Sequence, residues 1–252
     1  MSAEGQGVVG VIPARWASTR LPGKALAPLC GKPLILWVLE RARLAKSLDE
    51  VLVATDDARI RDVVERAGGV AVMTRADHPS GTDRIAEAVA GRPASVVVNI
   101  QGDEPLVDPE LINRLAAVMV LENGWDMATA ATPLHDPADV EKPSVVKVVW
   151  GENGRALYFS RAKIPFVRDR VPEGLRHWRH IGIYAYRRAF LERMVREAPC
   201  LLERAEQLEQ LRALHLGAAM KVVETSDVGL GVDTPEDVAR AESALRRAGL
   251  AK

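Results

Sequence analysis

The 252-residue chain has two cysteines, no net formal charge at pH 7, and no apolar run long enough to cross a membrane. Each absence removes a class of function. Cys30 and Cys200 make neither a disulfide framework nor a thiolate metal cluster, and are expected to pack as small apolar side chains in a reducing compartment. A pI near 7.0, with 34 basic and 34 acidic residues, gives no global attraction to nucleic acid, so any anion site has to be local. The opening MSAEGQG has neither a basic start nor an apolar core, so a cytoplasmic protein is expected. Internal repeats, low-complexity linkers and any obvious Ser-His-Asp or Cys-His arrangement are also missing. So are the two common phosphate loops. Gly31-Lys32 is followed by Pro33, with no glycine at the spacing a G-x-x-x-x-G-K-[ST] loop needs, and no G-x-G-x-x-G follows the first apolar run.

What is present begins with VVGVIPARWASTRLPGK, residues 8–24. The β-branched run Val8 to Ile12 reads as a strand buried on both faces, which Pro13 should stop for want of an amide hydrogen. Three cations, Arg15, Arg20 and Lys24, then lie in a loop of small residues. A basic loop at the carboxyl end of a first strand suits phosphate oxygens, although charge alone would also allow a solvated turn.

Alternation continues through the first half of the chain. Pro33 to Lys46 has helical spacing, Val51 to Thr55 and Val70 to Met73 read as strands, and a helix capped by Asp56 or Asp57 runs to Ala67. Ser80 or Thr82 can cap the next helix, and His78 before it reads as a surface loop histidine. Ser95 to Ile100 is the clearest buried strand and ends in Gln101-Gly102-Asp103-Glu104-Pro105. A carboxylate at that exit could hold a hard cation over a crevice, with Gly102 allowing close backbone approach. Helix Asp108 to Leu121 follows.

Beyond Met127 the pattern changes. Met127 to Thr132, Ser144 to Trp150, Ala156 to Phe159 and Ile181 to Tyr186 read as strands, with a turn at Gly151 to Arg155 and a longer loop from Pro165 to Trp178. A helix is expected from about Leu202 to Leu214, a strand over Ala219 to Glu224, and a helix Pro235 to Arg247 capped by Thr234. The whole predicts one α/β domain, residues 1–252, with a mostly parallel Rossmann-like sheet. Residues from about 127 to 190 form an antiparallel insert or extension, suited to a second substrate and to a dimer contact.

Four separated strings, VIPARWASTRLPGK, QGDEP, RHIGIY with LEQLR, and GVDTPED, resemble the cytidylyltransferases that activate 3-deoxy-D-manno-octulosonate (Kdo) in bacterial lipopolysaccharide synthesis. The resemblance implies transfer of CMP from CTP to the sugar acid, with release of pyrophosphate. It implies nucleotide binding by Ala14, Arg15, Arg20, Lys24, Ser80, Gly81 and Gln101, and a sugar site of Arg161, His180, Tyr184, Glu209 and Gln210. Mg2+ would lie on Asp103 and Asp233, and Arg15 and Lys24 would complete the catalytic set. A homodimer acting on small molecules is expected, without nucleic acid or membrane as partner. A related acidic sugar, such as an amino variant of Kdo or sialic acid, and a non-catalytic nucleotide-binding regulator are the rival readings. Two departures stand out: Trp16 replaces a more usual tyrosine, and the loop Pro172 to Trp178 is unlike the family's versions.

Overall fold

The structure is a computed structural model that describes residues 7–17 and 21–251. In chain order its elements are β1 (Gly7–Ala14), β2 (Pro28–Leu29), β3 (Lys32–Pro33), α1 (Leu34–Arg43), β4 (Glu50–Thr55), α2 (Ala58–Arg66), β5 (Val70–Met73), α3 (Gly81–Ala88), β6 (Ala94–Asn99) and α4 (Pro109–Leu121). The second half adds β7 (Met127–Pro133), α5 (Pro137–Glu141), β8 (Lys147–Trp150), β9 (Ala156–Ser160), β10 (Trp178–Arg187), α6 (Arg188–Met194), α7 (Leu201–Glu206), α8 (Gln210–His215), β11 (Met220–Glu224) and α9 (Pro235–Arg247).

The main sheet runs β11-β7-β10-β6-β1-β4-β5, and β8 and β9 extend it from β10. Within that path β10 is antiparallel to β6 and β7, and the other neighbours are parallel. The mostly parallel α/β sheet read from the sequence is therefore present. The 127–190 region is woven into it: β7 and β10 are interior strands, and the β8–β9 hairpin is the part that projects.

Alternate residues of each central strand feed two apolar layers. Val8, Ile12, Val53 and Val98 pack with Leu34, Val38, Leu111, Leu115 and Leu245 of α1, α4 and α9 on one face. Val9, Val11, Leu52 and Val97 pack with Ile85, Leu191 and Leu211 of α3, α6 and α8 on the other. Burial on both faces is why these strands read as continuous apolar runs. β4 and β6 flank β1, so the chain departs from β1 to opposite sides. A crevice opens outside the carboxyl ends of β1 and β6 at that switch point.

Several local expectations need correction. Pro13 does not end β1, which continues to Ala14 and pairs with Thr55 of β4. The last β1–β6 pair is Val11↔Asn99, and the Pro13 carbonyl faces Gly102 beyond it, so the missing N–H points where no ladder remains. Pro33 stands before α1 as its N-cap residue, and the helix stops at Arg43. β8 begins only at Lys147. The helix expected over 202–214 is two helices, broken where Gln207 adopts the left-handed conformation at φ 52°. Cys200 is not an apolar packer: its Sγ caps α7, accepting from the Glu203 amide at 3.5 Å. Asp57 alone caps α2, which leaves Asp56 for other work.

Candidate functional site

A cleft of about 380 Å³ opens at the switch point, within the range of small-molecule sites. Pro13, Ala14 and Arg15 leave β1 into it; Gln101, Gly102 and Asp103 enter from β6. Gly102 is required there, because a Cβ would stand 2.6 Å from the Pro13 carbonyl oxygen. Lys24 follows Gly23, whose φ of 67° turns the chain into a short 3-10 segment, Lys24–Leu26.

In the cleft the Lys24 ammonium donates to Asp103 Oδ2 at 2.6 Å and to Asp233 Oδ1 at 3.0 Å. Asp103 and Asp233, which lie 79 and 209 positions beyond Lys24, thus meet on one nitrogen. The Val232 amide donates to the Asp103 carbonyl at 2.9 Å, which ties the two acidic segments directly. Beyond it the Asp233 and Thr234 amides both donate to Asp237 Oδ2, fixing the turn before α9. Burial works against the Lys24 charge, but the attraction and hydrogen bonds of Asp103 and Asp233 outweigh it and hold its pKa above the ordinary value. Two carboxylates on a shared cation, at a strand exit, form a donor set that fits a hard divalent ion taking its remaining ligands from phosphate and water. Among the described residues no group of three His, Cys, Asp or Glu side chains could hold a metal ion by itself.

The turn that opens α3 lines the same cleft. Ser80 is the N-cap residue, its Oγ accepting from the Asp83 amide at 3.2 Å. The same Oγ stands 3.0 Å from Glu209 Oε1, and Thr82 Oγ1 donates to Glu209 Oε2 at 2.9 Å. Gly81 is exposed toward the cleft. Gln101 donates to Asn99 Oδ1 at 3.3 Å. Arg15 is exposed on the cleft wall, and Arg20 lies outside the described residues.

The residues expected to hold a sugar are distributed differently. His180 and Tyr184 sit on β10 with ring centroids 5.5 Å apart. Burial, reinforced by the nearby Arg179 charge, pushes the His180 pKa down to about 3, so the ring is neutral and shares a hydrogen with Thr129 Oγ1 at 2.9 Å. Gln210 is buried at the start of α8. Glu209 joins the cleft through Ser80 and Thr82; burial raises its pKa although those two hydroxyls and Arg212 oppose the shift. Arg161 is directed elsewhere. Its guanidinium donates to the carbonyls of Glu206 at 2.6 Å, Pro143 at 3.0 Å and Gln207 at 3.4 Å. Beside Asp103, burial and the Asp103 and Asp227 carboxylates push the Glu104 pKa up to about 8.

Three further residues shape the cleft: Asp56, read from the sequence only as a candidate helix cap, Arg84, which the sequence did not mark, and His78. The His78 side chain is 4% exposed, so it is not the surface loop histidine expected. Asp56 accepts from the Trp16 amide at 3.1 Å and from Arg84 at 3.0 Å, and so joins the basic loop to α3. Arg84 is 3% exposed and lines the cleft. His78 lines it too, with its ring against Glu87. The doubled Asp56-Asp57 was the one available signal, since a helix needs only one N-cap residue.

A cytidylyltransferase family model matches residues 9–222. The 3-deoxy-manno-octulosonate cytidylyltransferase of Syntrophotalea carbinolica is 49% identical over 246 residues, covering 95% of this chain and 98% of that protein. Its counterpart from Bdellovibrio bacteriovorus is also 49% identical, covering 96% and 99%. A solved structure of CMP:2-keto-3-deoxy-manno-octonic acid synthetase complexed with CTP superposes with a TM-score of 0.92 at 41% identity, over 96% of this chain and 99% of that one. A more distant structure, 4-diphosphocytidyl-2C-methyl-D-erythritolsynthase from Anaerococcus prevotii, shares the fold at a TM-score of 0.64 and 16% identity, over 96% and 100%.

Proposed function

The chain belongs to the cytidylyltransferase family, as a relative of its 3-deoxy-manno-octulosonate branch, and from that premise we propose how its residues carry out the reaction. The enzyme transfers CMP from CTP to 3-deoxy-manno-octulosonate and releases pyrophosphate. The observation that carries the assignment of roles is the convergence of Lys24, Asp103 and Asp233 in a cleft that the Ser80-Gly81 turn also lines.

Ala14, Gln101, Ser80 and Gly81 hold the nucleoside, and Arg15, Arg20 and Lys24 neutralise the triphosphate. The sugar's anomeric hydroxyl attacks the α-phosphorus as pyrophosphate leaves. Positioning and charge neutralisation supply most of the effect, so no strong base is needed beside the hydroxyl. Arg15 and Lys24 stabilise the charge that grows on the leaving group. Asp103 and Asp233 would hold Mg2+, which supplies electrostatic stabilisation of phosphate charge when bound. His180, Tyr184, Glu209 and Gln210 are assigned to the sugar acid, and Arg161, whose guanidinium is held by three backbone carbonyls, is left out of that set. Within that set Glu209 is supported by its bonds to the base turn, and a neutral His180 suits a sugar hydroxyl better than a carboxylate.

We assign the enzyme to the cytoplasm; no helix among the described residues is long and apolar enough to cross a membrane. We also assign it a homodimeric state, supported by the exposure of Leu157, Phe166 and Val171 in the 127–190 region. Light scattering at micromolar concentration tests the second point, and a monomer there would remove it. The function is tested by pyrophosphate release with CTP, Mg2+ and a panel of sugar acids. Turnover should need Kdo; equal turnover with sialic acid, or none with any sugar, would overturn the assignment.

A further inference from the structure

Trp16 follows Arg15 just beyond β1, at the position where a tyrosine is more usual. Its backbone amide donates to Asp56 Oδ1 at 3.1 Å. Its ring meets two other parts of the chain. The Arg59 guanidinium lies over the indole, 3.3 Å from the ring centroid. The far end of the indole lies against Gly23, where an added Cβ would stand 3.0 Å from Cη2 and 3.3 and 3.4 Å from Cζ3 and Cζ2. A side chain at position 23 would therefore crowd the ring, apart from the strain that a φ of 67° imposes.

Arg59 is itself held. Asp57, the N-cap residue of α2, accepts from the Arg59 amide at 2.9 Å, from Nε at 2.8 Å and from Nη2 at 2.6 Å. Pairing at two points fixes the plane of a guanidinium, and a fixed plane can stack on an aromatic face. The start of α2 thus grips the basic loop twice, through Asp56 on the Trp16 backbone and through Arg59 on its ring. The ring in turn joins residues 16 and 23, the immediate neighbours of Arg15 and Lys24, and both of those cations line the cleft. Two cations on separate limbs of a loop would otherwise have to be brought together by the nucleotide, at a cost in affinity. A contact that ties the limbs before binding removes part of that cost.

We propose that Trp16, braced by Arg59, is a positioning residue for CTP: it holds the Arg15 and Lys24 limbs of the basic loop together before the nucleotide arrives. This rests on the triphosphate binding at that loop as assigned above. Calorimetric binding of CTP and of CMP, each with Mg2+ and without sugar, tests it. Trp16→Leu should lose about 10-fold in CTP affinity and less in CMP affinity, because CMP offers the cations one phosphate instead of three. Trp16→Tyr, which keeps a flat ring under the guanidinium, should retain most of the CTP affinity. Arg59→Gln should lose about threefold, and its side chain, 59% exposed, can change without cost to the fold. In the double variant the loss should equal that of Trp16→Leu alone, because Arg59 acts only through the ring. Additive losses would make Arg59 a phosphate ligand in its own right and overturn the proposal. So would an unchanged CTP affinity in Trp16→Leu, equal losses for CTP and CMP, or a Trp16→Tyr variant as weak as Trp16→Leu. If Trp16→Leu does not fold, an unchanged CTP affinity in Arg59→Gln overturns it instead. Failure of the intact enzyme to bind CTP would strike the assignment of the loop, which is a different result.

Discussion

Lys24→Met isolates the electrostatics of the site. In the intact protein Asp103 Oδ2 and Asp233 Oδ1 touch the same ammonium, so the two oxygens are no farther apart than the two bonds laid end to end. At such a separation two carboxylates repel by about 3 kcal/mol at an effective dielectric of about 20. The side chains are 20%, 28% and 38% exposed, so solvent screens part of this, and about 1–2 kcal/mol of lost stability is expected. Adding Asp103→Asn should recover much of that loss, because a single carboxylate has nothing to repel. The variant should also gain thermal stability with millimolar Mg2+ more than the intact protein does, since the ammonium no longer competes for the two oxygens. Turnover should fall about a hundredfold or more, the cost of one charged contact made in the transition state. Urea unfolding with and without Mg2+, on the single and double variants, reads the coupling. Equal stability of Lys24→Met and the intact protein, with no extra response to Mg2+, would refute the shared-cation reasoning.

The parts of the site that were legible in the sequence are those that lie within one short stretch. The cations after the first buried strand, Asp103 at the exit of β6, and Thr234 before Pro235 were visible as such, and the structure brings Arg15, Lys24 and Asp103 to one cleft and makes Thr234 the N-cap of α9. The rest depends on which neighbour a group meets. β1 runs through Pro13 because β6 has already ended on that side, and a single strand's sequence does not contain that fact. LLERAEQLEQLRAL keeps helical spacing throughout, yet Gln207 turns left-handed within it and sets Glu209 against Ser80 and Thr82. Lys147 looks like a surface lysine in its strand. It is fully buried, its ammonium donating to the carbonyls of Lys142, Val145 and Arg161, which fixes the segment that carries Arg161. Two of these carbonyls are local to Lys147, but the third comes from Arg161 across the β8–β9 hairpin, and the alternation of a single strand does not reveal that such a cage forms.

Three further outcomes follow from single contacts. Gly102→Ala should destabilise by about 1–3 kcal/mol, because its Cβ meets the Pro13 carbonyl and neither backbone can yield freely; a melting temperature equal to that of the intact protein would contradict this. His180 binds its proton at about pH 3 when folded and near pH 6.5 when unfolded, so the unfolded state takes up the extra proton as pH falls through that window. His180→Gln should therefore remove about 1.4 kcal/mol per pH unit from the acid slope of urea stability between pH 6 and 4, and an unchanged slope would mean the ring is not buried neutral. The last outcome concerns Asp56, whose carboxylate accepts from the Trp16 amide with one oxygen and from Arg84 with the other. Asp56→Asn keeps the shape but can serve as acceptor on only one side, and it leaves the 3% exposed guanidinium of Arg84 without its countercharge. Breaking such a buried pair costs about 3–5 kcal/mol, and Arg84→Met in the same chain should return part of it. The basic loop and α3 would then be positioned independently, so the KM for CTP should rise more than the KM for the sugar. If both KM values move together while stability falls, Asp56 supports the fold without holding the basic loop and α3 in register.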